Sequence, residues 1–558
     1  MSGRNFLGLM AFLCLWIGGV ATAAAPPADL SARADAILAA GYPADGPGAA
    51  VIVTRGGETL YTSARGLADV ETRRPLTPDT IFRLGSITKQ FTASAILRLV
   101  QEGRISLDDP ISRFFPGYPQ PGASATVRQL LNHTSGIQSY TAIPGWMIAA
   151  NTSRPHTTAE MIAVFRNLPS PTPPGQEWAY NNSGYVMLGA IIEQVTGTPW
   201  HEAVGRLTGP LGIRTIGYGE SWSSDPAMAR GYTLSDGQVG PAMRIHMSVP
   251  HGAGGLVGTV GDLARWANAL HHGRVVSPAL YTAMTTPATL AGGRTHPYGF
   301  GLALGEVRGR PTIEHGGGIF GFSTESIYIP SEDLFVAVFA NSDEPSTHPS
   351  LVARRLAALA LGEPFRVFAR ADVDARTLAP LFGIYRIGDS GVSRHFFERG
   401  GKLYTMRNDA AATELFAAGD DHFFYPGSNN WFRIVRRPDG AHVMEMHQGG
   451  ADQAELATRT GDIPAEAATV QVSRALLLSY VGHYTTEEPA VDIALRGDGV
   501  LTITLTGQEP LPMRPISDTE FIVEGPGAHV VFHGENGQVD RLVIRHGGRE
   551  LQGRRAPR

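Results

Sequence analysis

The last third of this 558-residue chain repeats itself, and a tandem repeat constrains folding strongly because both copies must accept one structure. Leu381-Phe382-Gly383-Ile384-Tyr385 matches Tyr480-Val481-Gly482-His483-Tyr484 at an offset of 99. Gly401-Lys402-Leu403-Tyr404 matches Gly499-Val500-Leu501-Thr502, and Asp421-His422-Phe423-Phe424 matches Thr519-Glu520-Phe521-Ile522, both at 98, as do Gly449-Gly450 and Gly547-Gly548. Within each copy helical periods nearly vanish, and short strands alternate with turns such as Pro438-Asp439-Gly440, Gly497-Asp498-Gly499 and Glu535-Asn536-Gly537. About eight short strands can close an antiparallel barrel and so leave no sheet edge. Residues 366–465 and 466–558 are therefore read as two all-β, lipocalin-like barrel domains, joined by a linker around 461–470. Phe423, Phe424 and Trp431 are expected in the barrel core, with a ligand cavity as the less favoured alternative.

Before residue 366 the pattern is α/β. Residues 49–53 and 59–64 read as a hairpin around Gly56-Gly57, 88–101 as a helix, 326–329 and 334–340 as a second hairpin, and 351–361 as a closing helix. At the N-terminus Arg4, an apolar run over 6–20 and Ala21-Thr22-Ala23 form the pattern of a signal peptide, 1–23, which leaves a first folded domain over 24–365. A periplasmic or secreted protein is expected. Cys14 is the only cysteine, so cleavage after Ala23 would leave no disulfide, thiolate nucleophile or cysteine-bound metal. No later run approaches the roughly 20 apolar residues of a membrane span. A net charge of -5, without a basic stretch, argues against nucleic acid as a partner.

Lysine usage singles out one position. Lys89 and Lys402 are the only lysines among 46 basic residues, and Lys89 follows Ser86 by three at the start of the helical pattern. Residues i and i+3 share a helical face, and the N-terminal N–H groups of a helix favour developing negative charge. A lysine there can lose its proton and act as a base, which arginine cannot. The bland alternative is a serine N-cap followed by a surface lysine. Three more stretches stand out: Tyr180-Asn181-Asn182 in a polar turn before an apolar helix over 185–195, His315-Gly316-Gly317-Gly318 before a strand, and residues 130–137, Leu-Leu-Asn-His-Thr-Ser-Gly-Ile. Gly316, Gly318 and Gly321 match G-x-G-x-x-G, but a strand rather than a helix follows, so the dinucleotide reading fails.

Ser86-x-x-Lys89, Tyr180-x-Asn182 and His315-x-Gly317, in that order, resemble the three motifs of the serine β-lactamase and penicillin-binding-protein superfamily, in its class C-like form. Residues 130–137, Gly254-Gly255-Leu256 before Asp262-Leu263-Ala264-Arg265, and Tyr298-Gly299-Phe300-Gly301 look like its framework stretches. The resemblance covers 29–364 and implies an α/β (α+β) domain, an antiparallel sheet flanked by helices with a helical subdomain. It further implies Ser86 as nucleophile, Lys89 and Tyr180 sharing proton transfer, and Asn182, His315 and Gly317 binding substrate. Backbone N–H groups of Ser86 and Gly318 would form the oxyanion hole.

Many relatives carry lysine where His315 stands. A histidine of ordinary pKa near 6.5 is mostly neutral at pH 7 and offers a substrate carboxylate little. Domain order and His-x-Gly together resemble the D-stereospecific aminopeptidases, in which a loop of the last barrel narrows the cleft to free amines; Glu487-Glu488 or Pro526-Gly527 could supply that loop. The expected activity is hydrolysis of short D-amino-acid peptides or amides through an acyl-enzyme. A DD-carboxypeptidase, a broad-range esterase, a weak β-lactamase and, in another class, a non-catalytic penicillin-binding-like regulatory protein stand as alternatives. No cofactor is expected, and no metal, since the 18 histidines form no ligand pattern. His271-His272 is read as surface, and Trp146 and Trp178 as packing residues. Oligomeric state is left open.

Overall fold

Ala-Ala-Val-Ile-Val is rich in β-branched residues and forms strand β1 (Ala49–Arg55), which Gly56 and Gly57, at φ 59° and 82°, turn into β2 (Glu58–Arg65). The computed structural model describes residues 29–556 apart from 236, 409, 420, 464–468, 487–489, 506–508, 525–527, 536–537 and 547–548. Strands β3 (Ala303–Val307), β4 (Arg310–Ile319), β5 (Phe322–Ile329) and β6 (Leu334–Ala340) join the first two in one antiparallel sheet, ordered β3-β4-β5-β6-β1-β2. Both faces of its centre are covered, so its strands read as continuous apolar runs. On one face Val51, Val53, Val336 and Val338 pack against α1 (Leu30–Gly41) and α5 (Pro349–Ala360). On the other, Ile52, Phe335 and Phe339 join the core of α2 (Thr88–Gln101), α3 (Asn182–Thr196) and α4 (Val260–His271). Each fully buried side chain of this size contributes about 1.5–3 kcal/mol.

Two local readings change. The apolar helix begins three residues before the expected Tyr185, because Asn181 caps it with Oδ1 accepting from Gly184 N–H at 2.9 Å. His315 to Gly318 lie inside β4 rather than ahead of a strand, with His315 opposite Ser326 and Gly318 opposite Ser323. The G-x-G-x-x-G match thus falls on a β-hairpin.

The repeat is visible as two closed eight-stranded antiparallel barrels, the first from Gly383–Arg386 to Glu455–Gly461 and the second from Gly482–Thr485 to Arg549–Arg555. The duplicated motif has the same job in each. Tyr385 donates to the carbonyl of Leu381, and Tyr484 to that of Tyr480 at 2.8 Å, the same four-residue step. Gly383 and Gly482 leave room for Arg459 and Arg555, which donate to the carbonyls of Phe382 and Val481. Tyr385, Phe396, Phe423 and Phe432 fill the first interior, and Tyr484, Phe521 and Phe532 the second. Phe424 does not belong to that interior. It is half-buried on the outer side, stacked at 5.8 Å on Phe368 of the preceding segment, while Trp431 stacks on His447 at 3.7 Å. Strand alternation sends neighbours Phe423 and Phe424 to opposite faces.

Arg355 holds the first barrel to the α5 side of the sheet domain through the Asn429 side chain at 3.0 Å and the Ser428 carbonyl at 3.2 Å; Arg308 adds the Gly450 carbonyl at 3.0 Å. The N-terminal segment 1–23, Glu487-Glu488 and Pro526-Gly527 lie outside the described residues. No described helix is long and apolar enough to cross a membrane.

Candidate active site

Ser86 sits in a single tight turn, Gly85–Ile87, which runs directly into α2. The turn is possible because Gly85 takes φ 52°. It also lies hard against β4: a Cβ on Gly317 would come within 2.1 Å of the Leu84 carbonyl oxygen and 2.4 Å of Thr324 Oγ1. Gly317 is therefore the position that lets the glycine strand approach the serine. Gly318, one residue on, lines the open cleft with Ser86.

One turn into α2, Lys89 is completely buried. Its Nζ lies 2.9 Å from Ser86 Oγ, 2.8 Å from Asn182 Oδ1 and 2.9 Å from the Ala253 carbonyl oxygen. The bland reading of a surface lysine is excluded. Burial holds its pKa well below the ordinary lysine range. The two amide oxygens can only accept, so in the neutral form of the amine they take its two N–H groups. The remaining lone pair is then available to the Ser86 hydroxyl.

Asn181 and Asn182 begin α3 and face different ways. Asn182 turns its oxygen to Lys89 and donates through Nδ2 to Thr141 Oγ1 at 3.1 Å. Tyr180, just ahead, places its ring centroid 4.7 Å from Lys89 Nζ, and its hydroxyl interacts with Ser86. Although 38% of Tyr180 is exposed, the crowding around its hydroxyl raises the phenol pKa; the Ser86 interaction opposes that rise. His133, from the stretch over 130–137, sets this geometry. It sits at φ 64°, accepts the Asn181 backbone N–H at Nδ1 (3.2 Å), and packs its ring 4.4 Å from that of Tyr180. Accepting at Nδ1 puts the proton on Nε2. Burial first, then the charge Lys89 carries when protonated, holds His133 well below the usual histidine pKa.

His315 is turned inward. Nδ1 lies 2.6 Å from the Gly316 carbonyl oxygen, which can only accept, so Nδ1 carries the proton and Nε2 accepts from the Tyr298 hydroxyl at 2.8 Å. Both ring nitrogens are used within the protein. Burial, and next the charge Lys89 carries when protonated, lower its pKa to about 3, so the ring is neutral at pH 7. The cleft beyond it, about 310 Å³, has apolar walls from Met147, Ile245 and Phe320 and polar groups from Ser86, Asn182 and Asp343.

This hydroxyl, buried amine and phenol, beside a glycine strand, can run acyl transfer. Comparison with known proteins agrees: residues 37–361 match the Beta-lactamase family. The chain belongs to that family. It is 26% identical to "Penicillin-binding protein 4*" of Bacillus subtilis (strain 168) over 436 residues, covering 73% of this chain and 94% of that protein. It is 29% identical to a "D-aminopeptidase" of Gluconobacter oxydans (strain 621H), covering 65% of this chain and 67% of the relative. Among solved structures, a D-stereospecific amidohydrolase from Streptomyces sp. superposes with a TM-score of 0.50 at 29% identity, covering 59% of this chain and 98% of that one. This member of the beta-lactamase family is a serine hydrolase.

Around the motif residues the beta-lactamase domain adds side chains that sequence reading did not single out: Tyr140, Thr141, Met147, Ile245, Phe320 and Asp343. They come from the short helical turn Tyr140–Ala142 and from loops, with no local signature. The framework stretches have structural work instead. Asp262 of α4 accepts from the Thr215 N–H at 2.6 Å and hydroxyl at 2.7 Å. Trp178 stacks on His296 at 3.7 Å, and Trp146 packs 5.3 Å from Tyr140. His271, expected at the surface, is instead stacked on Tyr328 at 3.9 Å, because α4 lays it across the sheet; burial lowers its pKa to about 3. His272 stays exposed. No group of three potential metal ligands occurs among the described residues.

Proposed function

We propose that this chain is an exported, periplasmic or secreted serine hydrolase that cleaves short D-amino-acid peptides or amides through an acyl-enzyme on Ser86. Ser86 Oγ attacks the scissile carbonyl while its proton passes to the Lys89 amine, with the Tyr180 phenol alongside. The carbonyl oxygen gains its negative charge between the N–H groups of Ser86 and Gly318. Collapse of this intermediate breaks the C–N bond, the leaving amine takes the proton, and water then attacks the ester with the same base group. Lys89 and Tyr180 both stand beside Ser86, so the two share the proton-transfer role. Asn182 holds the substrate amide.

The observation that carries the substrate class is His315. With both nitrogens engaged inside the protein and the ring neutral, it supplies no cation for the carboxylate of a β-lactam or of a peptide C-terminus. The named D-aminopeptidase and D-stereospecific amidohydrolase support the same choice. The N-terminal pattern over 1–23 supports export.

The test is a panel: a D-alanine anilide with a free amine, an acylated D-Ala-D-Ala peptide, a chromogenic cephalosporin and a short nitrophenyl ester. The anilide is expected to be preferred, and Ser86→Ala to lower its turnover by about 10³-fold or more. Unchanged turnover in that variant rules out Ser86 as nucleophile. Preference for the capped dipeptide or the ester moves the protein to the carboxypeptidase or esterase reading. Failure of any fluorophosphonate or β-lactam to label Ser86 revives the non-catalytic one.

A further inference from the structure

Asp343 is the one acidic or basic side chain among the described residues that line the cleft. It stands three residues past the end of β6. Its Oδ2 accepts the Gly321 N–H at 2.8 Å, which pins the carboxylate under the β4–β5 turn. Its Oδ1 is buried and has no hydrogen-bond partner among the described residues. A carboxylate oxygen withdrawn from water and left unpaired is unfavourable until a donor meets it, and a cationic donor meets it best. The place is close to the chemistry. Ser323 donates to the Asp343 carbonyl at 3.4 Å and lies directly opposite Gly318 in the β4–β5 register. Directly opposed residues have α-carbons about 5 Å apart, so Asp343 lies within roughly 10 Å of the oxyanion N–H of Gly318.

We propose that Asp343 is the anionic subsite that receives an ammonium group on the acyl side of the substrate. The inference rests on the acyl-transfer reading of Ser86 and names the feature by which its substrates are selected. A free N-terminal amine then pairs with Asp343 while the scissile carbonyl occupies the site beside Ser86. Substrates bearing a carboxylate at the same place meet like charge and are rejected. Amine recognition thereby belongs to the sheet of the catalytic domain itself, whatever the barrel loops add.

The experiment compares acyl groups with and without the amine: D-alanyl against propionyl, and D-alanyl-D-alanyl against propionyl-D-alanyl, each as an anilide and as a benzyl ester. In the unaltered protein the amine is expected to raise kcat/KM at least tenfold in one pair or both. Asp343→Asn keeps an oxygen for Gly321 and should retain fluorophosphonate labelling, yet lose that ratio at least tenfold, chiefly through KM; Asp343→Glu should restore part of it. The idea is overturned if the unaltered protein shows no amine preference in either pair, or if Asp343→Asn leaves both ratios within twofold. Turnover of the esters without the anilides overturns the peptidase reading alone, and the ester pairs still decide Asp343. Loss of preference in Asp343→Glu as complete as in Asn counts against a charge-specific role.

Discussion

Lys89 shows what one residue can decide. In a chain that uses arginine almost everywhere, a lysine three residues after a serine is conspicuous, and the fold buries it without a carboxylate partner among the described residues. Only an amine can be held neutral there, so Lys89→Arg is expected to cost about 10³-fold in kcat/KM while leaving Ser86 in place. The pH dependence has a definite sign. Protonation consumes the lone pair facing Ser86, so kcat/KM falls as pH drops through the lowered pKa of Lys89. Burial lowers the His315 pKa to about 3, so its ring is neutral throughout the neutral and mildly acidic range. His315→Gln is therefore expected to change the rate without moving the midpoint of the acid limb, and a shifted midpoint would show that His315 titrates in the working range. The ordinary histidine pKa already suggests a mostly neutral ring, but nothing in the order of residues reveals that both nitrogens of His315 are engaged inside the protein. Its partner Tyr298 is 17 positions away, and the bond exists only because β4 and the loop before β3 converge.

At the scale of elements, the approach of β4 to the Ser86 turn is the critical packing event. Gly317 and Gly318 look alike in sequence but not in space. A methyl group at 317 overlaps the Leu84 carbonyl and Thr324, whereas one at 318 meets no atom of the described residues within 4 Å. Overpacking of this kind costs about 1–3 kcal/mol. Gly317→Ala is expected to lower the melting temperature by a few degrees and slow Ser86 acylation; Gly318→Ala should melt with the unaltered protein, and equal melting of all three would refute the packing argument. Helix and strand periods made α2, the hairpins around Gly56-Gly57 and over β5–β6, and α5 legible. The start of α3 and the strand character of His315 to Gly318 were not, because an Asn cap and a glycine run carry no periodicity. Phe423 and Phe424 diverge for a related reason: alternation can be read, but which parity faces inward depends on closure of the barrel.

At the scale of the whole molecule, three units follow one another, and Arg308 and Arg355 tie the first two together. Removing both guanidinium groups by Arg308→Ala with Arg355→Ala is expected to separate the first barrel's calorimetric transition from that of the catalytic domain. A single unchanged transition would show that the contact does not couple them. By itself the sequence determined the twin barrels, the α/β domain before them, and the serine, lysine, tyrosine and asparagine that meet in one place, because repeats, periodicity and motif spacing are local properties of a chain. Only the tertiary structure decided that Lys89 has no counter-ion among the described residues, that His315 faces inward, and that Asp343 lines the cleft with one carboxylate oxygen buried and unpaired among those residues. Those are matters of burial and of partners far apart in the chain, and burial does not exist until the sheet and helices have closed around it.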